Sequence, residues 1–334
     1  MMNAPISVIV VTFNEEKNIR DCLNSLAALD YPAGRFEILV VDASTDSTPH
    51  IVRDYPRVRL VRSEKGFSPQ KNTALKMAAF DILAFTDADC LISPDWLRVI
   101  DRAFGQEKIA AIGGNAYPPP GTGRFGLWTA CVGHPAGGAV GFDANVTRDE
   151  NGVSFVPGCN SVYRKRALLD VGGFRPEFYE GGEDVDISRR LRDKGYYLEY
   201  IPELTVFHKP RPTLESYLKW NIQVGVTKFN LGRPTLPRLI FEPSFFLWPL
   251  AAAAVLLGLT GSILLTGLAA AGLWLLFVAS LPFLARPYPL LIRRRKKIGV
   301  SLLAILTVIP VLIYLRQVCI NLGQIKKALR RPRA

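Results

Sequence analysis

Two carboxylates spaced i, i+2 close an apolar run in Ile82-Leu83-Ala84-Phe85-Thr86-Asp87-Ala88-Asp89-Cys90. The run has the composition of a short buried strand in an α/β sheet. Ligands in such sheets sit just beyond the carboxyl ends of the strands. Asp87 and Asp89 would there offer hard oxygen ligands to a divalent cation that holds phosphates. Asp is also common in ordinary turns, so the flanking elements must decide between the two.

Those elements can be read in order. Ile6–Val11 is a β-branched run and reads as a central strand, ending at Thr12-Phe13-Asn14-Glu15-Glu16. Asn14 is expected to cap a helix whose apolar positions are Ile19, Leu23 and Leu26. Phe36–Val41 is a second strand, ending at Asp42; a third covers Val58–Val61; a helix follows around Pro69–Ala79. The alternation predicts a doubly wound, mostly parallel α/β sheet. Its strand ends then gather Thr12, Asn14, Glu15, Asp42, Asp87 and Asp89 on one edge, where a nucleotide would sit. Neither GxGxxG nor GxxxxGK[ST] occurs at these turns, which argues against a dinucleotide fold and a P-loop.

From Ala110 to Pro157, Gly and Pro are dense and the chain reads as loop-rich, suited to an acceptor-side loop. His134 lies in it and reads as a solvated or structural histidine. Gly158-Cys159-Asn160 is expected to turn into a helix carrying Arg164, Lys165 and Arg166, a cluster that could meet phosphates or simply be solvated. Glu183-Asp184 opens a helix over Val185–Lys194, where acidic residues also complement the helix dipole. Short strands at Leu198–Ile201 and Thr205–Phe207 lead to His208.

The ordered set resembles the family 2 glycosyltransferases with the GT-A fold. It comprises Val-Ile-Val-Val-Thr-Phe-Asn-Glu-Glu, Val-Val-Asp-Ala-Ser-Thr-Asp-Ser-Thr, Phe-Thr-Asp-Ala-Asp, Gly158–Arg166, Val171-Gly172-Gly173-Phe174 and Gly182–Asp186, over roughly residues 6–210. The resemblance implies a nucleotide-sugar donor, UDP- or GDP-linked, bound by Thr12, Asn14, Glu15, Asp42, Lys71 and Asp87. It implies Mn2+ or Mg2+ on Asp89 with Asp87 and His208; imidazole suits Mn2+ better. Asp184 would be the general base of an inverting transfer, and Glu183 would bind the acceptor or orient that base. Asn160, Arg164 and Trp220 are the expected acceptor-side residues. Processive relatives carry Gln-x-x-Arg-Trp near Trp220; here the segment is Ser216-Tyr217-Leu218-Lys219-Trp220, which argues against a polysaccharide synthase. A non-catalytic membrane scaffold would not need the full carboxylate set.

Charge and hydropathy divide the chain. Beyond Glu242 there is no Asp or Glu. The basic residues there are Arg286, Arg293, Arg294, Arg295, Lys296, Lys297, Arg316, Lys326, Lys327, Arg330, Arg331 and Arg333, and they account for the whole net charge of +12. Basic residues beside apolar segments suit an anionic cytoplasmic membrane face rather than a nucleic acid. The expected organisation is a catalytic domain over 1–210, an interfacial amphipathic helix region over 211–242, a membrane region over 243–320 and a basic tail over 321–334. Spans are expected at about 245–265, 268–285 and 298–315. A third crossing would carry the tail outside, against the positive-inside rule; a re-entrant segment would not. The resulting picture is a multi-pass inner-membrane enzyme with a cytoplasmic catalytic domain and a lipid-linked or glycan acceptor. Met1–Pro5 leads straight into a strand with no signal-peptide pattern. The five cysteines form no CxxC and read as reduced and buried.

Overall fold

The computed structural model describes residues 3–132, 138–232, 267, 271–272, 275 and 288–330. The predicted span at 245–265, all of that at 268–285 except residues 271, 272 and 275, and the predicted role of His134 lie outside the described residues. The chain divides into two units, Met1–Gly123 with Gly133–Pro210, and Arg124–Val132 with Arg211–Ala334.

The first unit is built on one sheet. In chain order its elements begin β1 (Ile6–Thr12), α1 (Ile19–Ala27), β2 (Phe36–Asp42), α2 (Thr48–Arg53), β3 (Val58–Arg62), α3 (Phe67–Met77) and β4 (Ile82–Asp87). They continue with β5 (Cys90–Ile92), α4 (Trp96–Ala103) and β6 (Ile109–Tyr117). Helix α5 (Arg124–Cys131) belongs to the second unit. Then come β7 (Arg148–Asp149), β8 (Gly152–Val153), β9 (Asn160–Arg164), α6 (Lys165–Asp170), α7 (Glu183–Asp193) and β10 (Tyr197–His208). The strand order is β3-β2-β1-β4-β9-β6-β10-β8-β7, with β5 paired to β10.

All seven residues of β1 are buried, as a strand covered on both faces requires. Val8 and Val10 point into the core formed with α1 and α4; Ile9 and Val11 point into the core formed with α3, α6 and α7. Parallel pairing sets Thr12 opposite Asp42 and Val11 opposite Asp87, so the polar residues end together. Strand β9 runs antiparallel between β4 and β6.

Several local expectations are corrected. Helix α1 starts at Ile19 with Asn18 as its N-terminal flank; Asn14 instead takes a left-handed conformation at φ 57°. Asn160–Arg164 is a strand, not the start of a helix. The two short strands around Leu198 and Val206 are one strand, β10, with a register shift against β6 between Tyr200 and Thr205. The supposedly loop-rich middle begins with the buried strand β6, whose Gly113 and Gly114 serve close packing. A Cβ on Gly114 would overlap the Leu204 carbonyl oxygen and lie 2.7 Å from the Leu204 carbonyl carbon.

Among the described residues, the second unit contains α5, α8 (Leu214–Leu231), α9 (Tyr288–Ile298) and α10 (Leu302–Leu329). Helix α8 begins with a capping box at Thr213 and Ser216. Its buried residues Tyr217, Asn221, Gly225 and Phe229 recur every four positions. It packs this stripe on α10 rather than standing alone, with Tyr217 Oη donating to the Leu312 carbonyl at 3.2 Å. A Cβ on Gly225 would overlap the Ile320 carbonyl oxygen and lie 2.9 Å from the Gly323 Cα, so the two backbones touch. Arg293–Lys297, which lie between the second and third expected spans, are part of helix α9. Helix α10 runs through Pro310 and absorbs the predicted tail as far as Leu329. At about 1.5 Å per residue it is roughly 42 Å long. Among the described residues it is the one helix long and apolar enough to cross a membrane.

Replacing Gly114 with Ala is expected to destabilise the first unit by about 1–3 kcal/mol. Gly123→Ala, which meets open space, is expected to leave stability near wild type. Denaturant unfolding of both variants checks this.

Candidate active site

The site is assembled from strand ends. Asp42 closes β2 and is fully buried. Its Oδ1 accepts from Thr12 Oγ1 at 2.7 Å and from the Ser44 N–H at 3.1 Å. Its Oδ2 is paired with Arg62, which stands opposite it in the β2–β3 register. Gln70 on α3 donates to the carbonyls of Thr12 and Val41, both at 2.8 Å, and so fastens the ends of β1 and β2 together. The two loops above are stitched in turn. The Asn14 N–H donates to Ser44 Oγ at 2.8 Å, Asn14 Oδ1 accepts from the Thr45 N–H at 2.9 Å, and the Glu15 N–H donates to Thr48 Oγ1 at 2.8 Å. Thr12, Asn14, Glu15 and Asp42 are thus brought together beyond the ends of β1 and β2.

Asp87 and Asp89 occupy the tight turn between β4 and β5. Antiparallel pairing of β5 with β10 places Cys90 opposite His208 and so brings the histidine to the carboxylates. His208 Nε2 lies 3.4 Å from Asp89 Oδ1 and 3.7 Å from Asp87 Oδ2. Its Nδ1 faces the Lys209 carbonyl at 3.1 Å. A proton on Nδ1 satisfies that carbonyl, so Nε2 is the nitrogen that meets the acids. Burial disfavours the imidazolium, but Asp89, Cys90 and Asp87 outweigh it and push the pKa up to about 10. The pocket thus favours positive charge at this point. Two hard carboxylates and an oriented imidazole are a donor set that fits Mn2+ or Mg2+.

Glu183 and Asp184 open α7 and part company there. Glu183 is buried and accepts from Lys71 Nζ at 2.6 Å; Lys71 itself is only 1% exposed. Burial works against the Lys71 ammonium, yet Glu183 holds its pKa above the ordinary lysine range. Burial raises Glu183, with Lys71 opposing. The ammonium also lies 5.6 Å and 5.5 Å from the ring centroids of Phe85 and Phe174. Lys71 is therefore committed to Glu183 and is not placed to complete a nucleoside pocket, because a buried cation is held by its nearest counter-charge. Asp184 is half-exposed. Its Oδ2 accepts from the Gly158 N–H at 3.0 Å. The next residue, Cys159, belongs with Asp87 and His208 to a set of ligand atoms all within 4.8 Å of one another. Consecutive residues thus join the Asp184 carboxylate to the Asp87–His208 cluster.

Two expected acceptor-side residues are elsewhere. Asn160 is buried; its amide donates to the Asn115 and Leu204 carbonyls at 2.9 Å, and its oxygen accepts from Trp96 Nε1 at 3.0 Å. It ties four elements together and has no donor left for a ligand. Arg164 ends β9 opposite Ile82, at the far edge of the sheet, and bonds the carbonyls of Ile109, Phe104 and Gln106. The antiparallel course of β9 carries it away. Trp220 lies half-buried on α8 in the second unit. Sequence reasoning missed Arg62 and Gln70, and quoted Gly158 only as part of a motif. Arg62 had a signal, since it ends the strand beside Asp42.

An α/β sheet that gathers carboxylates, hydroxyls and an imidazole beyond its strand ends has the architecture in which such sheets bind ligands. Residues 7–172 match the family described as Glycosyl transferase family 2, and the chain belongs to that family. It is 28% identical over 249 residues to glycosyltransferase AglE of Haloferax volcanii, covering 70% of this chain and 77% of that one. It is 24% identical over 349 residues, 96% of each chain, to the dolichyl N-acetyl-α-D-glucosaminyl phosphate 3-β-D-2,3-diacetamido-2,3-dideoxy-β-D-glucuronosyltransferase of Methanococcus voltae. The structure of a mannosyltransferase from Pyrobaculum calidifontis, in complex with GDP-Man and Mn2+, shares the fold. Its TM-score is 0.58 at 22% identity, covering 98% of this chain and 88% of that one. The chain is an α/β, GT-A-like glycosyltransferase.

Lys71→Met is expected to destabilise the first unit by about 3–5 kcal/mol, because it strands the Glu183 carboxylate. The double variant Lys71→Met/Glu183→Leu is expected to recover much of that loss. A double-mutant cycle by chemical denaturation measures the coupling.

Proposed function

We propose that this glycosyltransferase moves a sugar, with inversion, from a nucleotide-sugar to an acceptor held at the cytoplasmic face of a membrane. The observation that supports it most is the link from Asp184 through Gly158 and Cys159 to Asp87 and His208. It sets a proton acceptor beside a cluster suited to a donor diphosphate. In this reading Asp42 and the Thr12–Glu15 loop hold the base and ribose of a UDP- or GDP-sugar, with Arg62 moving aside from Asp42. Asp87, Asp89 and His208 hold the cation, Mn2+ or Mg2+. A bound cation supplies Lewis-acid stabilisation of the departing nucleoside diphosphate. Asp184 takes the proton of the acceptor hydroxyl as its oxygen bonds the anomeric carbon and the bond from that carbon to the diphosphate oxygen breaks. Attack from the opposite face inverts the centre. The Lys71–Glu183 pair keeps Glu183 from competing as base and fixes the first turn of α7.

The acceptor is read as a lipid-linked saccharide or glycolipid. Helix α10, the basic α9 and the undescribed apolar stretch support membrane attachment, and the Methanococcus relative is named for a dolichyl phosphate-linked substrate.

Asp184→Asn is expected to lower the transfer rate by about 10²–10⁴-fold, with donor affinity kept. Release of nucleoside diphosphate from UDP- and GDP-sugars in the presence of membrane lipid, together with donor binding, checks it. Wild-type turnover by this variant would refute the base assignment. EDTA is expected to abolish transfer and Mn2+ or Mg2+ to restore it; transfer that persists in EDTA would refute the metal assignment.

A further inference from the structure

The hard carboxylates of the cluster have soft neighbours. Cys90 Sγ belongs to one set of mutually close ligand atoms with Asp89 and His208; Cys159 Sγ belongs to another with Asp87 and His208. In each set all ligand atoms lie within 4.8 Å of one another, and His208 is common to both. Both thiols therefore lie within 4.8 Å of a His208 ring nitrogen. They arrive from different strands. Cys90 begins β5 and Cys159 immediately precedes β9, and both thiols are free and buried. The open side is Asp87, whose side chain is 30% exposed.

Five donors therefore converge from three segments: two carboxylates, one oriented imidazole and two thiols. Carboxylates and water suit Mg2+ and Mn2+, whereas thiolate with imidazole selects Zn2+ and its relatives. Tetrahedral sites built from sulfur and nitrogen are the usual home of Zn2+. From this arrangement we propose that Cys90, Cys159 and His208, with Asp87 or Asp89 as the fourth ligand, form a Zn2+ site that overlaps the hard-ion position. The two ions then compete for one cluster, and Zn2+ capture blocks the diphosphate position. Binding replaces each S–H bond by an S–Zn bond and releases the proton to solvent. No oxidation state changes. The inference rests on the reading of Asp87, Asp89 and His208 as the catalytic metal cluster.

Co2+ is the probe, because sulfur-to-cobalt charge transfer absorbs in the near ultraviolet and reports thiolate ligation without any assay of activity. The full chain in detergent is titrated with Co2+, and Zn2+ is then added to displace it. Expected are a charge-transfer band, its loss on adding Zn2+, and its disappearance in both Cys90→Ser and Cys159→Ser. Cys131→Ser alters a buried thiol of the second unit and is expected to keep the band. Zn2+ affinity is expected to fall by about 10-fold or more in each of the two site variants. Far-ultraviolet circular dichroism identifies a variant that has lost its fold, and Cys→Ala at the same position then replaces it. Absence of the band, or its survival in both site variants, overturns the proposal. Mn2+ binding is read separately by water-proton relaxation. A protein that takes Mn2+ without showing the band overturns the thiol site alone. One that shows the band but takes no Mn2+ supports the thiol site and overturns the hard-ion reading above.

Discussion

Strand β1 lies between two parallel neighbours, and the register of that pairing is the constraint from which the site follows. Thr12 stands opposite Asp42, and Val11 opposite Asp87. A one-residue slip of either neighbour would send its apolar side chains to the wrong core. The buried alternation of Val8 and Val10 with Ile9 and Val11 therefore fixes where three chain segments end. Burial of apolar surface, which has no chemistry of its own, determines where the carboxylates are.

The carboxylates create the second problem, which is crowding of negative charge. Each has its own solution. Asp42 is held by Arg62, a hydroxyl and a backbone N–H. Glu183 is held by Lys71 in a buried pair that joins α3 to α7. Asp87 and Asp89 share His208. Asp184 accepts from the Gly158 and Val185 N–H groups, lies near the Lys71 ammonium and is half-buried.

The second unit solves a different problem with small residues. Gly225 and Gly323 let the backbones of α8 and α10 meet, a contact that bulkier side chains would prevent.

Near-continuous apolar runs made β1, β2 and β4 legible in the sequence, and their polar ends followed from parallel topology alone. Ordered motifs then identified the family and named Asp87, Asp89, Asp184 and His208, all of which the fold brings to one edge. The sequence could not show the antiparallel insertion of β9. Gly158–Arg166 reads as a turn into a helix with Arg164, Lys165 and Arg166, but the helix starts at Lys165, and only the pairing of Asn160–Arg164 with β4 and β6 buries Asn160 and sends Arg164 to the far edge. Nor could it show that three residues, Cys90–Ile92, pair with β10 and so seat His208 and two thiols around the carboxylates. Lys71 and Glu183 are 112 residues apart, and nothing local marks either as the other's partner. Periodicity and composition are local properties, and they determined the elements and the edge on which the chemistry falls. Which charges face each other across that edge is set by long-range pairing, and only the tertiary structure decided it.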